Sequence, residues 1–229
     1  MGLFKKTDNF LGRYKSIVPI TKFLAPVFNA LFYIILVLVA LIVIVTIIVF
    51  LANVDVDKML LPPDMDAIKE NGIIKFYSLK LGNGIKIISE ASTITLSHIK
   101  LVIYSKLAVW GLNLLIMAPI FKFLSKLFKN VSKNEVLNEQ NAISINYVGM
   151  IILIGNTISN ILKNAMNYLQ VNKFMSVAAE NIEYLFDIEL FGIVMGIFII
   201  TVGTIYGYAC SIASNTSESR NVIQAEDRE

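Results

Sequence analysis

The chain has 229 residues, of which 56% are hydrophobic and 16% are charged, and its formal net charge is +3. Soluble domains carry about a quarter of charged residues, so this composition argues against an ordinary soluble protein. Four long apolar runs take up less than half of the length, and the segments between and beside them are too short for a large soluble domain.

Each of these runs approaches or exceeds the roughly 20 residues with which an α-helix crosses a hydrocarbon layer of about 30 Å. The sequence therefore predicts an all-α integral membrane protein, in which residues 27–210 form a domain of four transmembrane helices. Residues 1–26 precede this domain and residues 211–229 follow it as a polar tail. The predicted spans cover about residues 27–53, 101–121, 147–167 and 188–210.

Basic residues are concentrated on one side of the predicted membrane. They crowd residues 1–26 and the loop of residues 122–146, so the positive-inside rule places both segments in the cytoplasm. Four spans then give an N-in, C-in topology. Residues 1–26 are either a basic topology anchor or an amphipathic helix in the inner headgroup region. The basic residues are Lys5, Lys6, Arg13, Lys15, Lys22, Lys122, Lys126, Lys129 and Lys133.

The loop of residues 54–99 would lie outside the cell and contains two short runs rich in β-forming residues, 73–79 and 85–89. Between them, Gly82-Asn83-Gly84 supplies the positive-φ residues of a tight turn. The sequence predicts a small extracytoplasmic β-hairpin, preceded by a turn or a short extended piece at residues 61–64. The hairpin is either a cap over the helix ends or a surface for a ligand or partner.

Spans two and three carry polar residues at helical spacing. Steps of four, four and three residues place four asparagines of span three in one stripe, and Lys106 and Asn113 share a face of span two. Amides that face lipid would cost several kcal/mol each, so the stripe should face other helices or a wet cavity. Either the set is a polar seam, or it lines a pocket with Asp187 and Glu189 near its rim. Lys106 either snorkels outward or is buried and paired. The candidate set is Lys106, Asn113, Asn156, Asn160, Asn164 and Asn167.

Span four carries two small-xxx-small motifs, formed by Gly192 with Gly196 and by Gly203 with Gly207. Their spacing predicts a groove of glycines along one helix face, which lets another backbone approach closely. The partner is either a helix of the same chain or a second copy of the chain, which would make a homodimer.

Residues 128–133 and 137–141 lead into Tyr147-Val148-Gly149, and this passage resembles the bacterial membrane family designated domain of unknown function 2975. The resemblance covers about residues 27–218, with Val136-Leu137 and residues 143–145 departing from the family pattern. It implies a multi-pass protein of the bacterial plasma membrane, with four helices and a strand-forming outer loop. Because family members are commonly encoded beside a small helix-turn-helix regulator, it also implies a cytoplasmic regulatory partner. Candidate contacts with such a partner are Lys126, Lys129, Lys133 and Glu139.

No catalytic constellation is visible, because His98 is the only histidine and Cys210 the only cysteine. We expect no enzymatic activity, no metal site, no cofactor and no direct binding of nucleic acid, since the lipid surface accounts for the basic segments. The first hypothesis is a regulatory or sensory membrane protein with a cytoplasmic partner. The alternative is a small-molecule or peptide-binding membrane protein, such as an immunity factor or a transporter accessory.

Overall fold

The computed structural model describes residues 2–51, 65–70, 73–80, 86–133, 135–175 and 188–226. Within these ranges the chain forms four α-helices, all long and apolar enough to cross a membrane, and one small antiparallel sheet. The predicted turn at residues 82–84, the piece at 61–64 and Asp187 lie outside the described residues. The elements are α1 (Gly2–Leu51), β1 (Met65–Glu70), β2 (Ile73–Lys80), β3 (Lys86–Glu90), α2 (Leu96–Ser132), α3 (Glu139–Met175) and α4 (Leu190–Glu226).

The helices are longer than the predicted spans. Residues 122–146 were predicted as a loop, but most of them are helical, because α2 continues to Ser132 and α3 begins at Glu139. Apolar runs mark the part of a helix that suits lipid, whereas the helical backbone continues through any residues of good helix propensity. Lysine and leucine are such residues and make up five of residues 122–132, and α3 begins with Glu139 and Gln140, which also favour a helix.

The connection from α2 to α3 is fixed by two asparagines. The buried Asn141 donates hydrogen bonds to the carbonyls of Glu135 and Val136, at 2.8 and 3.2 Å, and accepts one from Asn130 at 2.8 Å. Asn138 caps α3, since its Oδ1 accepts a hydrogen bond from the backbone N–H of Gln140 at 2.9 Å. Residues 138–141, which lie in the passage that resembles the family, therefore have a structural role at the start of α3.

The predicted hairpin is part of a three-stranded sheet with the order β1-β2-β3. Its two predicted strands correspond to β2 and β3, but β1 was missed. The β1 segment, Met-Asp-Ala-Ile-Lys-Glu, has few β-branched or aromatic residues, so its propensity gives a weak signal. The strand is stabilised by its antiparallel pairing with β2, which runs from Met65 opposite Leu79 to Glu70 opposite Ile73.

The chain divides into two compact units. The first contains residues 1–36, 115–155 and 191–229, and the second contains residues 37–114 and 156–190. In the second unit, the inner face of the sheet packs on the beginning of α2 and the end of α3. The buried core there consists of Met65, Tyr77, Leu79, Ile87, Ile94, Ile99, Val102, Val171 and Phe174.

His98 belongs to this core rather than to a reactive site. Its Nδ1 accepts a hydrogen bond from the backbone N–H of Thr95 at 3.1 Å and lies 2.7 Å from the Thr95 hydroxyl, which closes the first turn of α2. Its ring meets the Phe174 ring edge to face, with centroids 5.2 Å apart. The histidine thus ties the start of α2 to the end of α3.

In the first unit, the glycine groove of α4 packs against α3 of the same chain. A Cβ atom on Gly196 would lie 2.7 Å from the backbone nitrogen of Leu153, and one on Gly149 would lie 2.9 Å from the carbonyl of Gly196. Gly203 lies against Asn146, and Gly207 lies more loosely against Ala142. Gly192 is half-buried near the start of α4. Gly149 of α3 also contributes to this close approach, and it was not among the predicted packing glycines.

We expect Gly196→Ala to destabilise the protein and Gly207→Ala to have little effect. The same change in the same helix gains about 1 kcal/mol of helix propensity in both variants. At Gly196 the new methyl group meets backbone, and overpacking of this kind costs about 1–3 kcal/mol. At Gly207 the methyl group would lie 3.3 Å from the Cβ of Ala142, which a small shift relieves. Thermal unfolding of detergent-purified protein, followed by circular dichroism, measures both; equal melting temperatures would contradict the close α3–α4 packing.

Candidate functional site: a polar cavity

A cavity of about 400 Å³ lies in the second unit, walled by the first half of α2, the second half of α3 and Glu189, the residue before α4. Five of the six residues predicted as a seam or pocket line it. Asn164 does not. The five are Lys106, Asn113, Asn156, Asn160 and Asn167.

Helical periodicity explains how the sequence builds both walls. On α2 the lining residues Lys106, Val109, Trp110 and Asn113 are three or four positions apart, so they share one face. On α3 the lining positions 156, 159, 160, 163, 166, 167 and 170 repeat in the same manner. Each wall is therefore formed by one face of its helix, on which most of the lining side chains are polar.

Two asparagines of the stripe, Asn156 and Asn160, join α3 to Glu189, the residue before α4. The side-chain amides of Asn156 and Asn160 both donate to the backbone carbonyl of Glu189, at 3.0 and 3.2 Å. The carboxylate of Glu189 forms an ion pair with Lys163. Three contacts thus converge on Glu189 and hold it at the cavity wall.

Two further hydrogen bonds use polar groups of the stripe. Ser159 donates to the Oδ1 of Asn113 at 2.6 Å, which links α3 to α2. Asn164, only 5% exposed, donates to the backbone carbonyl of Asn160 at 2.8 Å. The two interpretations of the stripe therefore apply to different residues: Asn164 packs within the protein, while Asn167 and its neighbours line a cavity.

Gln170 is a lining residue that the sequence interpretation missed. It is only 2% exposed, and its side-chain nitrogen has no hydrogen-bond partner within the described part of the chain. Leaving a buried amide unpaired costs about 1–3 kcal/mol. The signal was available, because Gln170 lies three positions after Asn167 and extends the stripe beyond the predicted end of span three.

The charges of the lining residues favour an anion. Lys106 and Lys163 are cationic and Glu189 is anionic, which gives the lining a formal charge of +1. Amide and hydroxyl groups of the asparagines, Gln170, Ser105 and Ser159 supply hydrogen bonds around them. Among the described residues, no group of three or more His, Cys, Asp or Glu side chains could hold a metal ion. The arrangement suits binding of a small polar molecule.

The residues predicted to contact a cytoplasmic partner lie in the first unit, at the α2–α3 connection. Lys126 and Lys129 are on the last turns of α2, Lys133 follows it, and Glu139 is the first residue of α3. All four side chains are exposed. Their role in partner binding stays a prediction.

Comparison of the chain with protein-family models, with curated proteins and with solved structures gives no match in any of the three. The resemblance to domain of unknown function 2975 therefore stays a prediction, and the functional argument rests on the cavity itself.

Proposed function

We propose that the protein is a multi-pass membrane protein that binds a small anionic or zwitterionic molecule in its polar cavity. The observation that carries the proposal is Gln170, a buried amide at the cavity wall whose side-chain nitrogen has no partner among the described residues. A turn of the Gln170 side chain toward the cavity would let a ligand oxygen accept its hydrogen bond. Desolvated polar groups that a ligand completes are a source of both affinity and specificity.

The size and charge of the cavity support this class of ligand. About 400 Å³ falls within the roughly 300–1,000 Å³ of small-molecule sites. Lys106 attracts a carboxylate or phosphate, while Glu189, already paired with Lys163, can accept an ammonium group at the rim. An amino acid or a small carboxylate fits this pattern of charges, whereas an apolar molecule would leave the amides unpaired.

The proposed topology is N-in and C-in, with the cavity in the outer half of spans two and three. Lys22 and the lysines at 122, 126, 129 and 133 support it, because cytoplasmic segments next to membrane spans are enriched in lysine and arginine. In this topology Lys106, Asn113 and the asparagines of α3 lie in the outer halves of their spans, on the side of the loop that contains the sheet.

Single cysteines test this topology in a Cys210→Ser background. We expect a membrane-impermeant maleimide to label Glu90→Cys in intact spheroplasts and Lys133→Cys only after lysis, because both side chains are exposed but on opposite sides. Labelling of Lys133→Cys in intact spheroplasts would contradict the N-in, C-in arrangement.

Trp110 provides a direct measurement of binding, since it is the only tryptophan of the chain and lines the cavity. We expect titration with glutamate, succinate or sodium phosphate to change its fluorescence, and choline chloride to leave it unchanged. Lys106→Gln should weaken binding of the effective anion at least about tenfold, because close charge pairs near a protein surface contribute up to a few kcal/mol.

Lys100→Gln is the matched control for Lys106→Gln. Lys100 is on the same helix, but its ammonium donates to the carbonyl of Phe50 at 3.2 Å and it does not line the cavity. Its variant should bind as the unmodified protein does. Equal losses in the two variants, or no fluorescence response to any of the anions, would contradict a ligand site at Lys106.

A regulatory role is a second candidate, favoured by the length of α4. The helix continues to Glu226, 16 residues beyond the predicted end of span four at residue 210, so most of the polar tail is a helical extension. In the proposed topology this extension enters the cytoplasm beside the exposed residues Lys126, Lys129, Lys133 and Glu139. Such a helix could transmit occupancy of the cavity to a cytoplasmic protein.

Affinity capture from detergent extracts tests the tail. We expect a chain that lacks residues 217–229 to lose a cytoplasmic protein that the full chain retains, because the deletion removes the polar helical extension. A chain lacking only residues 227–229 is the control and should retain it. The same set of captured proteins for all three chains would rule out the tail as a contact.

A further inference from the structure

A second cavity, of about 610 Å³, lies in the first unit and is lined by residues of α1 and α2. Its charged members are Lys22, Lys122, Lys126 and Lys129, and no carboxylate lines it among the described residues. The lining therefore carries a formal charge of +4. We call it the basic pocket, and it is separate from the polar cavity of the proposed function.

The sequence brings these lysines together in two ways. Steps of four and three residues place Lys122, Lys126 and Lys129 on one face of α2. The fourth lysine comes from α1, whose packing on α2 is fixed by local contacts. The Ser125 hydroxyl donates to the carbonyl of Ala25 at 2.8 Å, and the Phe28 ring stacks on the rings of Phe121 and Phe128, with centroids 5.8 and 5.3 Å apart.

One lysine is held by contacts with α1, and the other three line the pocket with exposed side chains. Lys122 donates to the Oδ1 of Asn29 at 3.1 Å and lies 5.0 and 5.6 Å from the ring centroids of Phe32 and Tyr33, a cation–π arrangement. Lys22, Lys126 and Lys129 are exposed and form no ion pair with a described carboxylate. Like charges gathered in this way repel one another, and an anion with several oxygen atoms relieves the repulsion.

The position of the pocket along both helices identifies the anion. Lys22 immediately precedes a stretch of α1 without a charged residue that continues to its end at Leu51, and Lys122 immediately follows the uncharged residues 107–121 of α2. The lysines therefore lie where the apolar part of each helix ends, which is the level of lipid headgroups for a helix that crosses a bilayer. The pocket also has an apolar wall of Ala25, Pro26 and Phe123 for the glycerol and upper acyl region.

We propose that the basic pocket binds the phosphate group of an anionic phospholipid of the cytoplasmic leaflet. Basic pockets between transmembrane helices on this side are suited to such headgroups. Lys22, Lys126 and Lys129 bind the phosphate oxygens, and Lys122, fixed by Asn29 and two aromatic rings, holds a positive charge behind them. The lipid thus completes the packing of α1 on α2 at this end.

Thermal unfolding in detergent, with phosphatidylglycerol, phosphatidylcholine or sodium phosphate added, tests the proposal. We expect phosphatidylglycerol to raise the melting temperature and phosphatidylcholine to leave it unchanged. In the double variant Lys126→Gln/Lys129→Gln the apparent affinity for phosphatidylglycerol should fall about 30-fold, since each lysine near an anionic surface contributes roughly fivefold. Native mass spectrometry should show fewer bound phosphatidylglycerol molecules on this variant.

The double variant Lys69→Gln/Lys133→Gln removes the same charge from exposed lysines outside the pocket and should retain the full response. An equal loss of affinity in the two double variants would overturn the pocket, because the effect would then depend on net charge alone. A response to sodium phosphate without a response to phosphatidylglycerol would overturn the lipid source and leave a site for free anions. Equal responses to phosphatidylglycerol and phosphatidylcholine would overturn the recognition of charge.

Discussion

A polar side chain on an apolar helix must find a hydrogen-bond partner, because an unpaired buried amide costs more than the hydrogen bond gains. The stripe of α3 follows from this constraint. Asn156 and Asn160 donate to the carbonyl of Glu189, and Asn164 donates to the backbone of its own helix. These bonds hold the residue before α4 to α3 at the cavity wall. Gln170 has a side-chain nitrogen for which the described chain supplies no acceptor, and the binding argument begins there.

Close backbone approach solves a different problem in the first unit. Helices in lipid gain little from hydrophobic burial against each other, so contact area and dispersion must come from small residues. Gly149 and Gly196 face each other, and a side chain on either would meet backbone of the neighbouring helix. Because α3 fills this groove, Gly196 and Gly203 of α4 pack against a helix of the same chain. A second copy would have to bind another surface.

The extent to which sequence predicts this structure depends on how local each feature is. The four helices and the stripe at Asn156, Asn160 and Asn167 follow from hydropathy and a period of 3.6 residues, both of which a single helix displays. The acceptor of Asn160 lies 29 residues away, at Glu189, and only folding brings the two together. Strand β1 depends in the same way on its pairing with β2, because its own residues do not favour a strand. The basic pocket depends on contacts such as that between Ala25 and Ser125, 100 residues apart, so the sequence predicted Lys126 and Lys129 as a partner contact and did not join them with Lys22 in a pocket.

The two cavities differ in the acidic and amide groups that lie beside their lysines, and for this reason we propose different ligands for them. In the polar cavity, Lys163 is paired with Glu189, and amides provide most of the remaining polar surface. The proposed ligand of such a site is a small anion or a zwitterion, because the lysines attract an anionic group while the Glu189 carboxylate can accept an ammonium group. In the basic pocket four lysines have no carboxylate beside them in the described lining, and a phosphate with several oxygen atoms can bridge them. In the two proposals the same residue type therefore serves different ligands, a small solute in one unit and a lipid headgroup in the other, because its acidic and amide neighbours differ.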